Sequence, residues 1–453
     1  MRCMPQDSAT LTDPAPVSES AITPAPIGPD LGPVRQEERY VLMDVVRGFA
    51  LFGVLAANMR SFNAPIAEYD HIGRLFPGRL DVLAQALLDI FISGKFYTLF
   101  AFLFGLGFAI QISRALARSG KFPWFYLRRL AALALFGLVQ GIVIWNGDIL
   151  LPYSIGGFWL FWFRKAKLKA VRRWAVSLWG LGLAFIFSAW LWPHVHHSTQ
   201  TSAGKPPKPV DYLAINATYA HAHLFGVIKE NALLWTGNHP PSHAHPFLWM
   251  AGYLPEDAAI GTMSVLLFLL GLWVWRQGIL ENLRQYAPAL RRVCAITLPL
   301  GLALAVVATL GQKYLPQDTP PNGPPPSLAA LWINYSLVLS FPVLACGYAT
   351  LLAGLFTNPA RQRWVLWLAP VGRMALTNYL TQSVVCVAFF SGIGTGLYGR
   401  VGPAWDWAAT FVLFSAQIAF SHWWLARYRF GPMEWLWRYL TYGKRPAMRL
   451  RAN

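Results

Sequence analysis

The stretch YVLMDVVRGFALFGVLAANMR, Tyr40–Arg60, decides the fold. Apart from Asp44, Arg47, Asn58 and the closing Arg60 it is an apolar run of the length a helix needs to cross the ~30 Å hydrocarbon core of a bilayer. Asp44 and Arg47 are three residues apart, so on a helix each can offset the other's cost of entering a low-dielectric medium. Asn58 follows Arg47 by eleven residues, and eleven steps of about 100° return to within about 20° of the same direction, about 16 Å further along the axis. The three groups form one polar stripe on an otherwise apolar helix. Such a stripe faces a polar cavity or another helix; the alternative is that Asp44 and Arg47 anchor the helix at the interface while Asn58 caps its far side.

The rest of the chain fits that start. Of 453 residues, 55% are hydrophobic and 13% are charged, against roughly 25% charged in an ordinary soluble protein. One soluble core cannot hide so much apolar surface, so the expected fold is all-α, a polytopic transmembrane helix bundle. About ten stretches are long enough to span: 41–60, 94–113, 124–146, 149–164, 171–192, 257–276, 292–312, 328–355, 369–391 and 404–427. The net charge of +18 follows from Lys and Arg gathered in the inner loops, and nucleic-acid binding is not implied. With both termini cytoplasmic, 29 basic residues lie inside and 9 outside; the opposite orientation reverses the ratio.

The expected organisation is a disordered cytoplasmic tail (1–34), an N-terminal transmembrane half (35–192), a Pro- and His-rich outer loop (193–256) and a C-terminal transmembrane half (257–453) ending in a surface motif and tail. Between the first two spans, Asp81, Gln85 and Asp89 recur every four residues with Leu83, Leu87, Ile90 and Phe91 mostly on the other side, the pattern of an amphipathic or re-entrant helix over 80–93. Lys95 enters the second span beside Asp89, its partner if the chain bends at Gly94; the alternative is that Lys95 snorkels to the surface. Gly137 and Gly141 form a G-x-x-x-G suited to helix packing within the monomer. No P-loop, G-x-S-x-G elbow, H-E-x-x-H or dinucleotide fingerprint stands in a suitable context. The four cysteines contain no C-x-x-C, and the histidine pairs His221-x-His223 and His243-x-His245 lack the spacing of a structural zinc site, so no metal is expected.

Asp44-x-x-Arg47-Gly48 followed by Asn58, then Gly94-Lys95-Phe96 with Phe104-Gly105-x-Gly107, and later GRMALTNYLTQS (Gly372–Ser383) and GPMEWLWRYLTY (Gly431–Tyr442), resemble the YeiB-like family of bacterial membrane proteins, a domain of unknown function. The resemblance covers nearly all of the chain after residue 35. It implies a multi-pass protein of the bacterial inner membrane in contact with lipid. The first span also resembles, more distantly, that of integral-membrane acyltransferases of the heparan-glucosaminide N-acetyltransferase type, in which the Asn is followed by a catalytic His in the next loop. Here the nearest is His71, two positions later than that spacing.

The resemblance implies His71 as base and Asn58 as oxyanion donor. Asp44, Arg47, Asp89, Lys95, Arg373, Asn378, Glu434 and Arg438 are then candidates for holding donor or acceptor. The donor would be a cytoplasmic acyl-CoA, with no tightly bound cofactor. The acceptor would be an envelope saccharide or a lipid-linked one. The competing expectation is a transporter or lipid-handling protein that passes a solute along the same stripe.

Overall fold

The computed structural model describes residues 40–63, 75–118, 122–196, 212–221, 223–235, 256–315 and 327–450. Among these residues every regular element is helical. In chain order they are α1 (Val41–Asn63), α2 (Arg79–Phe91), α3 (Lys95–Arg118), α4 (Phe122–Val139), α5 (Leu150–Leu160), α6 (Leu168–His196), α7 (Tyr212–His221), α8 (Leu224–Trp235), α9 (Glu256–Arg276), α10 (Leu283–Tyr314), α11 (Leu328–Thr357), α12 (Arg363–Leu366), α13 (Ala369–Arg373), α14 (Ala375–Phe390), α15 (Pro403–Leu425) and α16 (Pro432–Tyr442). A π turn, Gln140–Ile144, prolongs α4.

Six described segments are long and apolar enough to cross a bilayer: Val41–Asn63, Arg79–Ser113, Trp124–Ile144, Leu168–Ser188, Leu283–Tyr314 and Leu328–Thr357. The other four expected stretches are helical but shorter or more polar. Residues 149–164 hold only the 11 residues of α5 and a 3-10 turn. The apolar part of α9 within the described residues is Ser264–Arg276. Residues 369–391 are broken at Met374, whose φ of −107° and ψ of 34° end α13 and restart the chain as α14. In α15, Asp406, Gln417 and His422 interrupt the apolar run.

α1 is the central strut. It packs against α3, α11, α13, α14 and α15, which explains why it is buried on most sides despite being a lone apolar helix in sequence. Its approach to α13 is backbone to backbone: a side chain at Gly372 would strike the Asp44 carbonyl oxygen, and one at Gly48 would strike that of Leu368. Interfaces of this kind favour glycine because small residues let helix axes close up where no hydrophobic effect drives association. Gly137 acts similarly, meeting Leu151 and Asp148 beside α5 within the same chain.

The expected amphipathic helix is α2, turned inside out. Leu80, Leu83, Leu87 and Phe91 are exposed, whereas Asp81 accepts the Ala404 N–H at 3.0 Å and Asp89 accepts from Gln85 at 2.7 Å. In lipid the apolar face is the outward one. α10 and α11 lie along one another and expose Ile296, Leu300, Val307 and Leu310 in the same manner. Within the expected outer loop, α8 packs on the π turn, and Tyr219 of α7 donates to Asn231 of α8 at 2.7 Å. The expected tail, residues 1–34, lies outside the described residues.

Candidate functional site

A 23-residue helix is about 34 Å long, so the two ends of α1 occupy opposite sides of the bundle. At its first turns Asp44 is buried, and Arg47 stands 3.5 Å from it with about a third of its side chain exposed. The expected pairing within the stripe is present. The same end gathers the closing motif. Pro432 begins α16, as a proline in a first turn should.

Glu434 does not serve its own helix alone: Oε1 accepts the N–H groups of Leu376 at 2.6 Å and Thr377 at 3.1 Å, and Oε2 accepts the Thr377 hydroxyl at 2.6 Å. It caps α14, bonding the N–H groups exposed where the chain restarts after Met374. Burial pushes its carboxyl above its ordinary value, and these hydrogen bonds oppose that shift. Asn378, buried, donates to the Val371 carbonyl and to Ser421 Oγ, both at 3.1 Å. Both groups are thus committed to joining α13, α14, α15 and α16. Arg373 ends α13, half-buried.

Arg438, one residue from Trp437, lies 4.4 Å over the Phe430 ring. Arg129 of α4, not singled out from the sequence, lies 3.7 Å over Trp437 itself, and the charged side chains acting on it include Arg438 and Arg47. Guanidiniums from α1, α4 and α16 therefore lie at the same end of the bundle.

The other end is different in kind. Lys95 is fully buried, which overturns the snorkelling alternative. The chain bends at Gly94, φ 76°, as expected, and Lys95 donates to the Asp89 backbone carbonyl, 5.2 Å over the Phe341 ring. The Asp89 carboxylate is held instead by Gln85 and Ser93, with Arg60 and Lys95 both acting on it. Arg60 also acts on Asp406, which accepts from Asn63 at 3.1 Å. Lys95, Asp89, Arg60 and Asp406 thus alternate in sign across α3, α2, α1 and α15, and Asp81, which also acts on Asp406, adds a further acidic group.

Asn58 is half-buried near this end of α1. His71 lies outside the described residues, so the structure says nothing of the expected Asn58 and His71 pair. In between, Gln140 of the π turn donates to Ser383 at 3.0 Å and Gln382 to Gln417 at 2.8 Å. His422 contacts the Trp367 carbonyl at 3.1 Å, a packing role.

This arrangement invites comparison with known proteins. Residues 274–444 match the family described as "Protein of unknown function (DUF418)". Over 426 residues the chain is 33% identical to "Uncharacterized protein YxaH" of Bacillus subtilis (strain 168), covering 91% of this chain and 96% of that protein. The chain belongs to the YeiB-like family. "Uncharacterized protein YeiB" of Escherichia coli (strain K12) is 31% identical over 416 residues, 89% of this chain and 96% of that protein. No solved structure matches. The motifs of this YeiB-like chain now have positions: the Asp44–Arg47 opening, the Gly372 and Glu434 contacts and Arg438 meet at one end of α1, while Lys95 and Asp89 belong to the other.

Proposed function

We propose that this YeiB-like protein is an acyltransferase of the bacterial inner membrane, its basic end facing the cytoplasm, that moves an acyl group from acyl-CoA to an envelope saccharide or lipid-linked acceptor on the outer side. The observation that supports this reading is the enclosure of α1 by five other helices, with the cationic Arg47 near one end and the amide of Asn58 eleven residues on, about 16 Å along the axis. A donor held by its phosphates at the basic end would need to reach through about that depth to deliver its thioester to an acceptor on the other side.

The chemistry asked of the residues is modest. A base removes the proton from the acceptor hydroxyl or amine, and the resulting nucleophile adds to the thioester carbonyl. The Asn58 amide donates to the oxyanion that forms. Collapse of that intermediate breaks the carbon–sulfur bond, and the thiolate leaves to take up a proton. His71 is the base this reading requires, because the resemblance to the heparan-type enzymes implies it.

The buried Lys95 favours a second reading, passage of a solute or lipid without transfer chemistry, since an ionisable residue at such depth marks many transport paths. Its position within an alternating chain of charges fits a structural lock better. Transfer of label from acyl-CoA to an acceptor by the reconstituted protein separates the two readings.

A further inference from the structure

The last described residues turn back over the end of the bundle. α16 stops at Gly443, whose left-handed φ of 69° lets the chain reverse. Beyond it, residues 444–450 lie as a strap fixed along both edges. On one side the Trp435 indole N–H of α16 donates to the Pro446 carbonyl at 2.8 Å. On the other, Tyr428 and Arg449 pair as an antiparallel bridge, and the Arg429 N–H donates to the Met448 carbonyl at 2.8 Å. Between strap and helix is a cavity of about 550 Å³, lined by Pro432 and Trp435 of α16 and by residues 445–449.

The lining is of two kinds. Pro432, Trp435, Pro446, Ala447 and Met448 are apolar, whereas Arg445 and Arg449 are exposed cations. Arg445 lies 5.6 Å over the Trp435 ring, and neither guanidinium has an ion-pair partner among the described residues. The sequence explains why. From Trp407 to Asn453 the single acidic residue is Glu434, and its carboxylate is bonded to the start of α14.

The neighbouring residues set the level of this cavity in the membrane. α15 exposes Phe411, Val412 and Phe420 and comes to its end with Trp423, half exposed. The Arg427 guanidinium lies 4.8 Å over that indole, and the Arg427 carbonyl accepts the Leu450 N–H of the strap at 3.3 Å. Exposed tryptophan and arginine at the end of an apolar helix mark the membrane–water interface. The strap is therefore tied to the chain where lipid headgroups lie.

We propose that the cleft between α16 and the strap binds the headgroup of an anionic phospholipid. Arg445 and Arg449 take the phosphate, whose oxygens match the guanidinium fork. Trp435, Pro432 and Met448 meet the glycerol end of the acyl chains. An apolar floor beside two cations suits such an amphiphile better than a free anion, which gains nothing from the floor. The site is independent of acyl transfer and stands whether or not that reaction occurs.

The test follows thermal unfolding of the purified full chain in detergent micelles, titrated separately with dioctanoyl phosphatidylglycerol, dioctanoyl phosphatidylcholine, inorganic phosphate and free coenzyme A. Phosphatidylglycerol should raise the midpoint in a saturable way, and the other three should not. Arg445→Gln and Arg449→Gln should each weaken the response to phosphatidylglycerol roughly fivefold. Arg445→Lys, which keeps the charge and loses the fork, should fall between. Lys169→Gln, at an exposed cation away from the cleft, should respond as the parent does. Native mass spectrometry of the same variants should show the parent retaining more of this lipid than Arg445→Gln or Arg449→Gln.

Equal responses to the two phospholipids overturn the site, and so do equal responses of the parent and the two glutamine variants. Stabilisation by inorganic phosphate or coenzyme A to the same extent as by phosphatidylglycerol overturns the assignment to a lipid.

Discussion

The carboxylate of Glu434 caps a helix 57 residues earlier in the chain, accepting both the N–H and the hydroxyl of Thr377. The contact joins the two closing motifs of the family at one point. Glu434→Ala exposes the first N–H groups of α14 without a partner and should cost about 2 kcal/mol or more. Glu434→Gln, which keeps an acceptor, should cost less. Unfolding midpoints in detergent would check the order; an alanine variant as stable as the parent would show that the cap is dispensable.

Gly372→Ala should be among the most damaging single-carbon changes in the protein. The added methyl meets the carbonyl oxygen of Asp44, a backbone atom that cannot swing aside, and overpacking of this kind costs about 1–3 kcal/mol. Gly354→Ala has open space around it and should be neutral or slightly stabilising. Accumulation of the two variants in membranes, measured side by side, tests the contact.

Asp44 and Arg47 should behave as a unit. Asp44→Ala or Arg47→Ala alone leaves a charge with its partner removed, whereas the double variant removes both. Because Arg47 is partly exposed, we expect the Arg47→Ala penalty to be about 2 kcal/mol, below the range for fully buried pairs, and to shrink in the double variant. Additive losses in a double-mutant cycle would show that the 3.5 Å pair carries no coupling.

The polar stripe, the helical class and the first-turn position of Pro432 were legible in the sequence because each depends on residues a few positions apart. Arg129 was not, since its significance comes from Arg47 and Arg438, which are 82 residues before it and 309 after. Arg60 and Asp406 escaped for the same reason. Their signal was faint: an acidic residue inside an apolar stretch, and a basic one closing another. Lys95 does meet Asp89 across the bend at Gly94, but its hydrogen bond goes to the Asp89 backbone carbonyl, because carbonyls compete for a buried ammonium. The break at Met374 within 369–391 was not legible, since hydropathy does not register a helix that stops and restarts.

Orientation is open to a direct test. On the ten-span reading 29 of the 38 basic residues fall on one side, which predicts that both termini are cytoplasmic. A phosphatase fused after Asn453 should be inactive, and cysteines placed in 193–256 should label from outside. An active fusion would invert the protein and place the end bearing Arg47, Arg129 and Arg438 on the outer face.

The central claim is acyl transfer across the depth of α1. The decisive measurement is transfer of label from acetyl-CoA to an envelope-saccharide mixture by the purified protein reconstituted in membranes. We expect the parent to transfer label, Asn58→Ala to lower the rate by roughly 10²-fold or more through loss of the oxyanion donor, and His71→Ala to abolish turnover while the protein remains folded. No transfer by the parent, or full activity in the Asn58 and His71 variants, would contradict the account.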